Sequence, residues 1–224
     1  MIRLVIFDLD GTLIDSKLDL AHSVNATRAH LALPPLPHEQ IFSYVGNGAP
    51  VLIRRSIEPD APGANLEAAL DFFVSYYFDH RVEFTSVYPG VPETLKALAE
   101  KGIAMAILTN KPVRISHAIL DDLGISGYFR RVYGGNSFEQ KKPHPIGIQT
   151  LLAETATEPQ QALMVGDSAV DIQTARNAGV PSCGVTFGFQ PESLTTHPPD
   201  FLLSRMEELL DVVDRKSASS SEAM

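Results

Sequence analysis

Two carboxylates near the amino terminus stand at the end of an apolar run, where they could do chemistry. Asp8 and Asp10 follow the sequence Leu-Val-Ile-Phe at residues 4–7, which predicts a buried strand of a parallel sheet. Gly11 then allows a sharp turn and a close approach of the backbone to a ligand, and Thr12 adds a hydroxyl beside the acids. An Asp-Gly turn without function explains the dipeptide alone. Two acids that end an apolar strand favour a site that holds a cation.

Polar residues also occur at three later points that the predicted sheet brings to the same edge. They are Thr109 and Asn110 after an apolar run, Lys142 in a loop, and Asp167, Ser168 and Asp171 after another run. Because open α/β sheets bind ligands at the carboxyl ends of their strands, we expect these side chains to converge on Asp8 and Asp10. Taken singly, each has a simpler explanation as a helix cap or a solvated loop residue. Their joint occurrence at successive strand ends favours a site.

The residue types at this edge suit phosphoryl transfer. Several carboxylates close together repel one another, and a hard divalent cation is the simplest means of keeping them ionised. Mg²⁺ is the natural ion for a site made only of oxygen ligands, and it also neutralises a phosphate. We therefore expect Mg²⁺ as the cofactor and a small phosphorylated molecule as the substrate.

The elements that must position these residues alternate from residue 87 onward. Short apolar runs at 103–108, 128–133, 162–165, 182–185 and 201–203 are separated by helical patterns. This alternation is typical of a parallel sheet covered on both faces. The predicted fold class is α/β, a doubly wound, mostly parallel sheet with a Rossmann-like core.

A helical insertion interrupts this pattern near its start. Helical periodicity recurs at about 18–31, 39–45, 50–57 and 66–81, with no strand pattern among these segments. We expect an α/β core at 1–15 and 87–215, a helical cap at 16–86 and a disordered polar tail at 216–224. A cap that leaves and rejoins the core beside Asp8 would cover the acids, exclude water and select the substrate.

Four motifs carry a resemblance to a known family. They are Asp8-x-Asp10-Gly-Thr12, Thr109-Asn110, Lys142-Pro143 and Gly166-Asp167-Ser168-x-x-Asp171. In order and spacing they resemble the motifs of the haloacid dehalogenase superfamily, and the insertion resembles its small helical cap. Further segments resemble the phosphoglycolate phosphatase group of that superfamily: Gly46-Asn47-Gly48, Arg54-Arg55, Tyr88-Pro89-Gly90 and Lys141-Lys142-Pro143.

The resemblance implies a covalent mechanism. Asp8 would attack phosphorus and become an aspartyl phosphate. Asp10 would protonate the leaving oxygen and then take a proton from the attacking water. Thr109 and the backbone amide of Asn110 would bind a phosphoryl oxygen, while Lys142 would offset the negative charge.

The resemblance also implies a metal site. Asp167 would bind Mg²⁺ together with Asp8 and the backbone carbonyl of Asp10. Asp171 would orient a metal-bound water or Lys142, with Ser168 beside it.

Substrate contacts are expected from the first turn and from the cap. We expect Gly11, Thr12 and Asn110 to lie against the substrate. Arg54 and Arg55 are candidates to bind an anionic tail of the substrate, such as a carboxylate, although solvated helix arginines are the simpler interpretation.

Composition excludes several other functions. The formal net charge of -9 and the lack of a long basic cluster argue against a nucleic-acid partner. Cys183 is the single cysteine, which fits a reducing compartment. No secretory pattern or membrane-spanning run is evident, so we expect a cytoplasmic protein without a membrane partner, as a monomer or homodimer.

The sequence thus predicts a Mg²⁺-dependent phosphatase that acts on a small phosphomonoester, with 2-phosphoglycolate as the best single substrate. A pyrophosphatase, a sugar-phosphate phosphatase or a phosphomutase of the same superfamily is an alternative. A protein that kept the fold and lost catalysis is an alternative of another class.

Overall fold

The computed structural model describes residues 1–218 of the chain. Its strands are β1 (Leu4–Phe7), β2 (Ile14–Asp15), β3 (Ser86–Val87), β4 (Ala104–Leu108), β5 (Arg131–Tyr133), β6 (Ala162–Gly166), β7 (Ser182–Val185) and β8 (Phe201–Leu203). Its α-helices are α1 (Lys17–His30), α2 (His38–Phe42), α3 (Ala49–Ile57), α4 (Leu66–Asp79), α5 (Val91–Glu100), α6 (Val113–Asp122), α7 (Ile146–Thr155), α8 (Ala169–Ala178), α9 (Ser193–Thr196) and α10 (Glu208–Ala218).

Six strands form one parallel sheet in the order β5-β4-β1-β6-β7-β8. The central strand β1 is fully buried, and its side chains alternate between two apolar cores. Val5 and Phe7 pack on the face that also buries residues of α5, α6 and α10, while Leu4 and Ile6 pack on the face covered by α7 and α8. The predicted doubly wound α/β fold is therefore confirmed.

The helices α1–α4, here called the helical block, lie between β2 and β3. These two strands pair antiparallel, with Ile14 opposite Val87, in a ribbon separate from the main sheet. The ribbon is too short to produce a periodic pattern, and the sequence did not predict it. It holds the segment that enters the helical block beside the segment that leaves it. The division of the chain into a core and a cap stays a prediction.

Asp19 of α1 holds the segment that leads from α4 to β3. Its carboxylate accepts hydrogen bonds from the backbone N–H of Phe84 at 3.1 Å and from the N–H and hydroxyl of Thr85 at 2.8 and 2.6 Å. Asp19 is buried, so these donors also satisfy a charge that water does not reach.

The other differences from the expected elements concern boundaries and short segments. The strand expected at 128–133 is shorter, because Ser126–Tyr128 forms a 3₁₀ turn and β5 begins at Arg131. The short helix α9 was not predicted. Helix α10 continues to Ala218 and so includes residues 216–218 of the segment expected to be disordered; residues 219–224 lie outside the described residues. Within residues 1–218, no helix has the length and apolar composition needed to cross a membrane.

Candidate active site

The sheet and the helical block meet around a cavity of about 50 Å³. The wall on the sheet side contains predicted site residues from the ends of β1, β4 and β6: Asp8, Asp10, Thr109, Asn110, Asp167 and Ser168. The wall formed by the helical block is largely apolar and includes Leu20, Ala49, Leu52 and Phe73. The structure therefore brings the polar strand ends together, as the topology predicts.

Asp8 lies directly after β1 and beside Lys142. Its backbone N–H donates to the carbonyl of Val165 at 2.9 Å, which holds this residue against β6. Its Oδ1 lies 2.9 Å from Nζ of Lys142, and 13% of its side chain is exposed. Burial raises the pKa of Asp8 from 3.8 to about 6, although the positive charge of Lys142 opposes the rise. Asp8 is thus a carboxylate with one charged partner and little water around it.

Lys142 is buried between two carboxylates. Its Nζ donates to Oδ1 of Asp171 at 2.6 Å as well as facing Asp8. Burial alone would lower the pKa of Lys142, but Asp171 and Asp8 outweigh that effect and hold the pKa above its usual range. The other oxygen of Asp171 accepts hydrogen bonds from the N–H and the hydroxyl of Ser168 at 3.2 and 2.8 Å. Ser168 and Asp171 therefore fix the position of the Lys142 ammonium.

Asp8, Asp167 and Asp171 form an acidic cluster whose carboxylate oxygens lie within 4.8 Å of one another. Burial raises the pKa of Asp167 well above its usual value, and the charges of Asp171 and Asp8 raise it further. Both oxygens of Asp171 already have donors, so Asp8 and Asp167 are the better placed metal ligands. Oxygen donors of this kind fit a hard divalent cation.

Gly11 makes the turn after Asp10 possible. Its φ is +79°, and a Cβ at this position would lie 2.3 Å from Oδ2 of Asp167, so a larger residue would displace that carboxylate. Thr12 is fully buried behind the turn. Neither Gly11 nor Thr12 is among the described residues that line the cavity. The structure thus places both where they shape the turn, and their contact with the substrate stays a prediction.

Asp10 is held by two donors, neither of which was identified in the sequence analysis. The hydroxyl of Ser16 donates to Oδ1 of Asp10 at 2.5 Å. Nζ of Lys111 lies 2.9 and 3.1 Å from the two oxygens of Asp10 and also donates to the hydroxyl of Tyr77 at 2.5 Å. Lys111 follows Thr109 and Asn110 directly, and that position at a strand end was the signal that could have identified it. Tyr77 lies on α4, where it is indistinguishable from the other apolar positions of the helix.

Thr109 and Asn110 follow β4, as predicted. The N–H of Thr109 donates to the carbonyl of Tyr133 at 2.9 Å, and its hydroxyl accepts from the N–H of Lys111 at 3.3 Å. The side-chain amide of Asn110 donates to the carbonyls of Gly46 and Lys142 at 3.1 and 3.2 Å. Asn110 therefore links the helical block to the loop that carries Lys142.

The segment 45–47 of the helical block is fastened to the sheet side through its backbone. The carbonyl of Val45 accepts from Nε2 of Gln190 at 2.6 Å, and that of Asn47 accepts from Nζ of Lys141 at 2.6 Å. Asn110 holds the carbonyl between them. We call these interactions of Gln190, Asn110 and Lys141 the clasp. They fasten the part of the cavity wall that contains Val45 and Gly46 to the sheet side.

Arg54 and Arg55, the candidates to bind an anionic tail of the substrate, do not line this cavity. Helix α3 turns Leu52, Ile53 and Ser56 inward, so the two arginines, which lie on its other face, are exposed. They border a separate surface groove, where the guanidinium of Arg55 lies 5.9 Å from the ring of Tyr44. Their position on the exposed face of α3 therefore separates the two arginines from the acidic cluster.

Comparison with known proteins agrees with this geometry. A sequence profile of the haloacid dehalogenase-like hydrolases matches residues 5–185. A phosphoglycolate phosphatase of Vibrio vulnificus YJ016 is 40% identical over 219 residues, covering 95% of this chain and 96% of the relative. Phosphoglycolate phosphatase 1 of Pseudomonas aeruginosa PAO1 is also 40% identical over 219 residues, covering 95% of this chain and 80% of the relative.

A solved structure with the same fold is that of a predicted phosphoglycolate phosphatase from Haemophilus somnus. It has a TM-score of 0.89 and 33% identity, with 94% of this chain and 97% of that chain covered. The profile and these relatives span most of the chain, including the acids, Lys142 and the helical block. The chain belongs to the haloacid dehalogenase-like hydrolase family.

Proposed function

We propose that this protein is a Mg²⁺-dependent phosphatase that hydrolyses 2-phosphoglycolate through an aspartyl phosphate. The observation that carries the proposal is the position of Asp8, at the end of the central strand, beside Lys142 and within the acidic cluster at the cavity. The substrate follows from the names of the relatives that are 40% identical and from the small volume of the cavity.

Asp8 is the proposed nucleophile. One of its carboxylate oxygens forms a bond to phosphorus as the bond from phosphorus to the ester oxygen breaks. Asp10 gives its proton to that leaving oxygen and afterwards takes a proton from the water that attacks the aspartyl phosphate. The water oxygen ends in inorganic phosphate, and Asp8 is released as a carboxylate.

Lys142 and the Thr109–Asn110 pair are proposed to stabilise the phosphoryl group. The Lys142 ammonium already lies 2.9 Å from Asp8, so it can offset the charge on both the nucleophile and the phosphoryl oxygens. The hydroxyl of Thr109 and the backbone N–H of Asn110 stand at the end of β4, on the cavity wall, and are proposed to donate to one phosphoryl oxygen.

Asp8, Asp167 and the backbone carbonyl of Asp10 are proposed to hold Mg²⁺. When bound, this ion would neutralise the phosphate and reduce the repulsion between the phosphate and the acids. Asp171 is proposed to act through Lys142, since its carboxylate holds that ammonium at 2.6 Å.

The cavity favours a small leaving group. A volume of about 50 Å³ has room for only a few water-sized groups. We propose that the helical block opens to admit the substrate and closes again around it. A large sugar or nucleotide does not fit the closed arrangement.

The proposal is tested by phosphate release from a panel of substrates with Mg²⁺ and with EDTA. The panel contains 2-phosphoglycolate, sugar phosphates, nucleotides and pyrophosphate, and each is offered to the wild type, Asp8→Asn and the control Asp15→Asn. We expect Mg²⁺-dependent release dominated by 2-phosphoglycolate, lost in Asp8→Asn and kept in Asp15→Asn. Release dominated by another ester would refute the substrate, and full activity of Asp8→Asn would refute the mechanism.

A further inference from the structure

Lys111 supplies the positive charge on the cavity wall. Among the described residues that line the cavity, it alone carries a cationic side chain. Its side chain is 3% exposed, so water does little to weaken its field. Arg54 and Arg55 are on the outer face of α3. A negatively charged group that enters the cavity therefore meets Lys111.

Residues from both walls hold the Lys111 ammonium in place. Asp10 contacts it from the sheet side at 2.9 Å and Tyr77 from the helical block at 2.5 Å. The ammonium also lies 4.4 Å from the centre of the Tyr77 ring, where the ring face attracts a cation. A cation fixed in this way loses little conformational freedom when it binds a ligand.

The surroundings of Lys111 make it selective. The opposite wall is apolar, with Leu20, Val45, Leu52 and Phe73 lining the same cavity. An anionic group placed against such side chains needs a charged partner to compensate for its lost water. A neutral group of the same shape gains less from the ammonium, because it brings no negative charge for the ammonium to compensate.

We infer that Lys111 is a specificity-determining residue that binds an anionic group, such as a carboxylate, on the leaving alcohol of the substrate. This inference rests on the proposed function and extends it to the residue that selects the substrate class. Because Lys111 touches Asp10, the proposed proton donor to the ester oxygen, the anionic group must lie within a few bonds of that oxygen. The class is thus small phosphomonoesters with a carboxylate next to the ester carbon.

A substrate carboxylate can reach Lys111 without dismantling the site. The ammonium contacts both oxygens of Asp10, so the ligand can take over one of these contacts. The hydroxyl of Ser16 still holds Asp10 through Oδ1. Tyr77 still holds the ammonium from the other side.

The experiment uses two substrates of the same shape that differ in one charge, 2-phosphoglycolate and its amide, 2-phosphoglycolamide. The ratio of their kcat/KM values is measured with Mg²⁺ for the wild type, for Lys111→Met and for the control Lys101→Met. Lys101 is a surface residue paired with Asp214. If Lys111→Met also disturbs Asp10, hydrolysis of both substrates becomes slower. This effect cancels in the ratio of their kcat/KM values.

We expect the wild type and Lys101→Met to prefer the carboxylate by about 10- to 150-fold, the strength of a hydrogen bond between charged groups. Lys111→Met should bring this ratio close to one, and Lys111→Arg should keep much of it. If Lys111→Met does not fold, Lys111→Gln is measured by the same ratio. An unchanged ratio in the neutral variants, or a wild type that shows no preference, would overturn the inference. Wild-type enzyme that hydrolyses neither ester would instead overturn the proposed function.

Discussion

The two walls of the cavity differ in chemistry and in how firmly they are held. On the sheet side, Asp8, Lys142 and Asp167 follow strands or loops that are anchored to the buried parallel sheet. On the other side, the helical block presents mainly apolar side chains and is attached through the short ribbon β2–β3 and the clasp. The comparison points to a division in which the sheet side positions the groups proposed to react and the helical block covers them with an apolar surface.

Lys111 and Tyr77 connect the two walls of the cavity. Lys111 comes from the sheet side, yet it donates a hydrogen bond to Tyr77 of the helical block. The proposed selection of an anionic substrate would therefore be complete only when both walls meet.

The largest effect should come from Lys142→Met. Removing this ammonium leaves Asp8 and Asp171 without their charged partner, and we expect kcat to fall by about 10³-fold or more. The matched control is Lys141→Met, in which the neighbouring residue loses only its bond to the carbonyl of Asn47. We expect that variant to lose less than about tenfold in kcat/KM. Equal losses in the two variants would contradict the role proposed for Lys142.

Asp167→Asn should stabilise the protein when no metal is present. The raised pKa of Asp167 and that of Asp8, about 6, mean that the folded chain binds protons more tightly than the unfolded chain. The resulting stability is present below the unfolded-state pKa of about 4 and is lost as pH rises through the folded-state pKa. At about pH 7.5 in EDTA, we therefore expect Asp167→Asn to raise Tm by about 2–6 °C.

Two further thermal scans check the cause of that change. The gain from Asp167→Asn should shrink at about pH 4, where the carboxyl is already protonated. Added Mg²⁺ should raise the Tm of the wild type and leave that of Asp167→Asn nearly unchanged. A variant that is less stable in EDTA at neutral pH would show that the acidic cluster is not under electrostatic strain.

Gln190→Ala should weaken the clasp. It removes the hydrogen bond to the carbonyl of Val45, so the closed arrangement should be less populated and KM should rise by about 2- to 10-fold. The value of kcat should change less, since Gln190 is not among the proposed reacting groups. Steady-state kinetics with 2-phosphoglycolate separate the two parameters, and a fall in kcat alone would contradict the assignment of Gln190 to closure.

Arg54→Ala and Arg55→Ala should have the smallest effect. Both side chains are exposed on the outer face of α3, so we expect KM for 2-phosphoglycolate to change by less than about twofold. A rise of tenfold or more in either variant would instead favour binding of the substrate carboxylate by an arginine of α3.

The sheet side could be predicted from the sequence because topology fixes it. Apolar runs that end in polar residues predict strand ends, and parallel connections bring those ends to one edge. This is why Asp8, Thr109 and Asp167, which are far apart in the chain, were expected together and lie together. Their catalytic and metal-binding roles stay predictions.

The helical block could be predicted only in part, because helical periodicity does not say which neighbour a face will meet. The arginines of α3 lie close in sequence to Leu52, which lines the cavity. The local sequence alone does not decide whether their side chains face the cavity or the solvent. Lys111 and Tyr77 meet through packing between distant elements, and no local pattern links them. The residues proposed to carry selectivity are therefore the ones that required the structure.

The most direct test of the account is a search for the covalent intermediate at Asp8. The enzyme is mixed with 2-phosphoglycolate and Mg²⁺, quenched in acid within one turnover, digested and analysed by mass spectrometry, with Asp8→Asn as the control. We predict one added phosphoryl group on the peptide that contains Asp8, at Asp8 itself, and none on the variant. Release of phosphate in the same interval without any phosphoryl group on Asp8 would contradict the central claim.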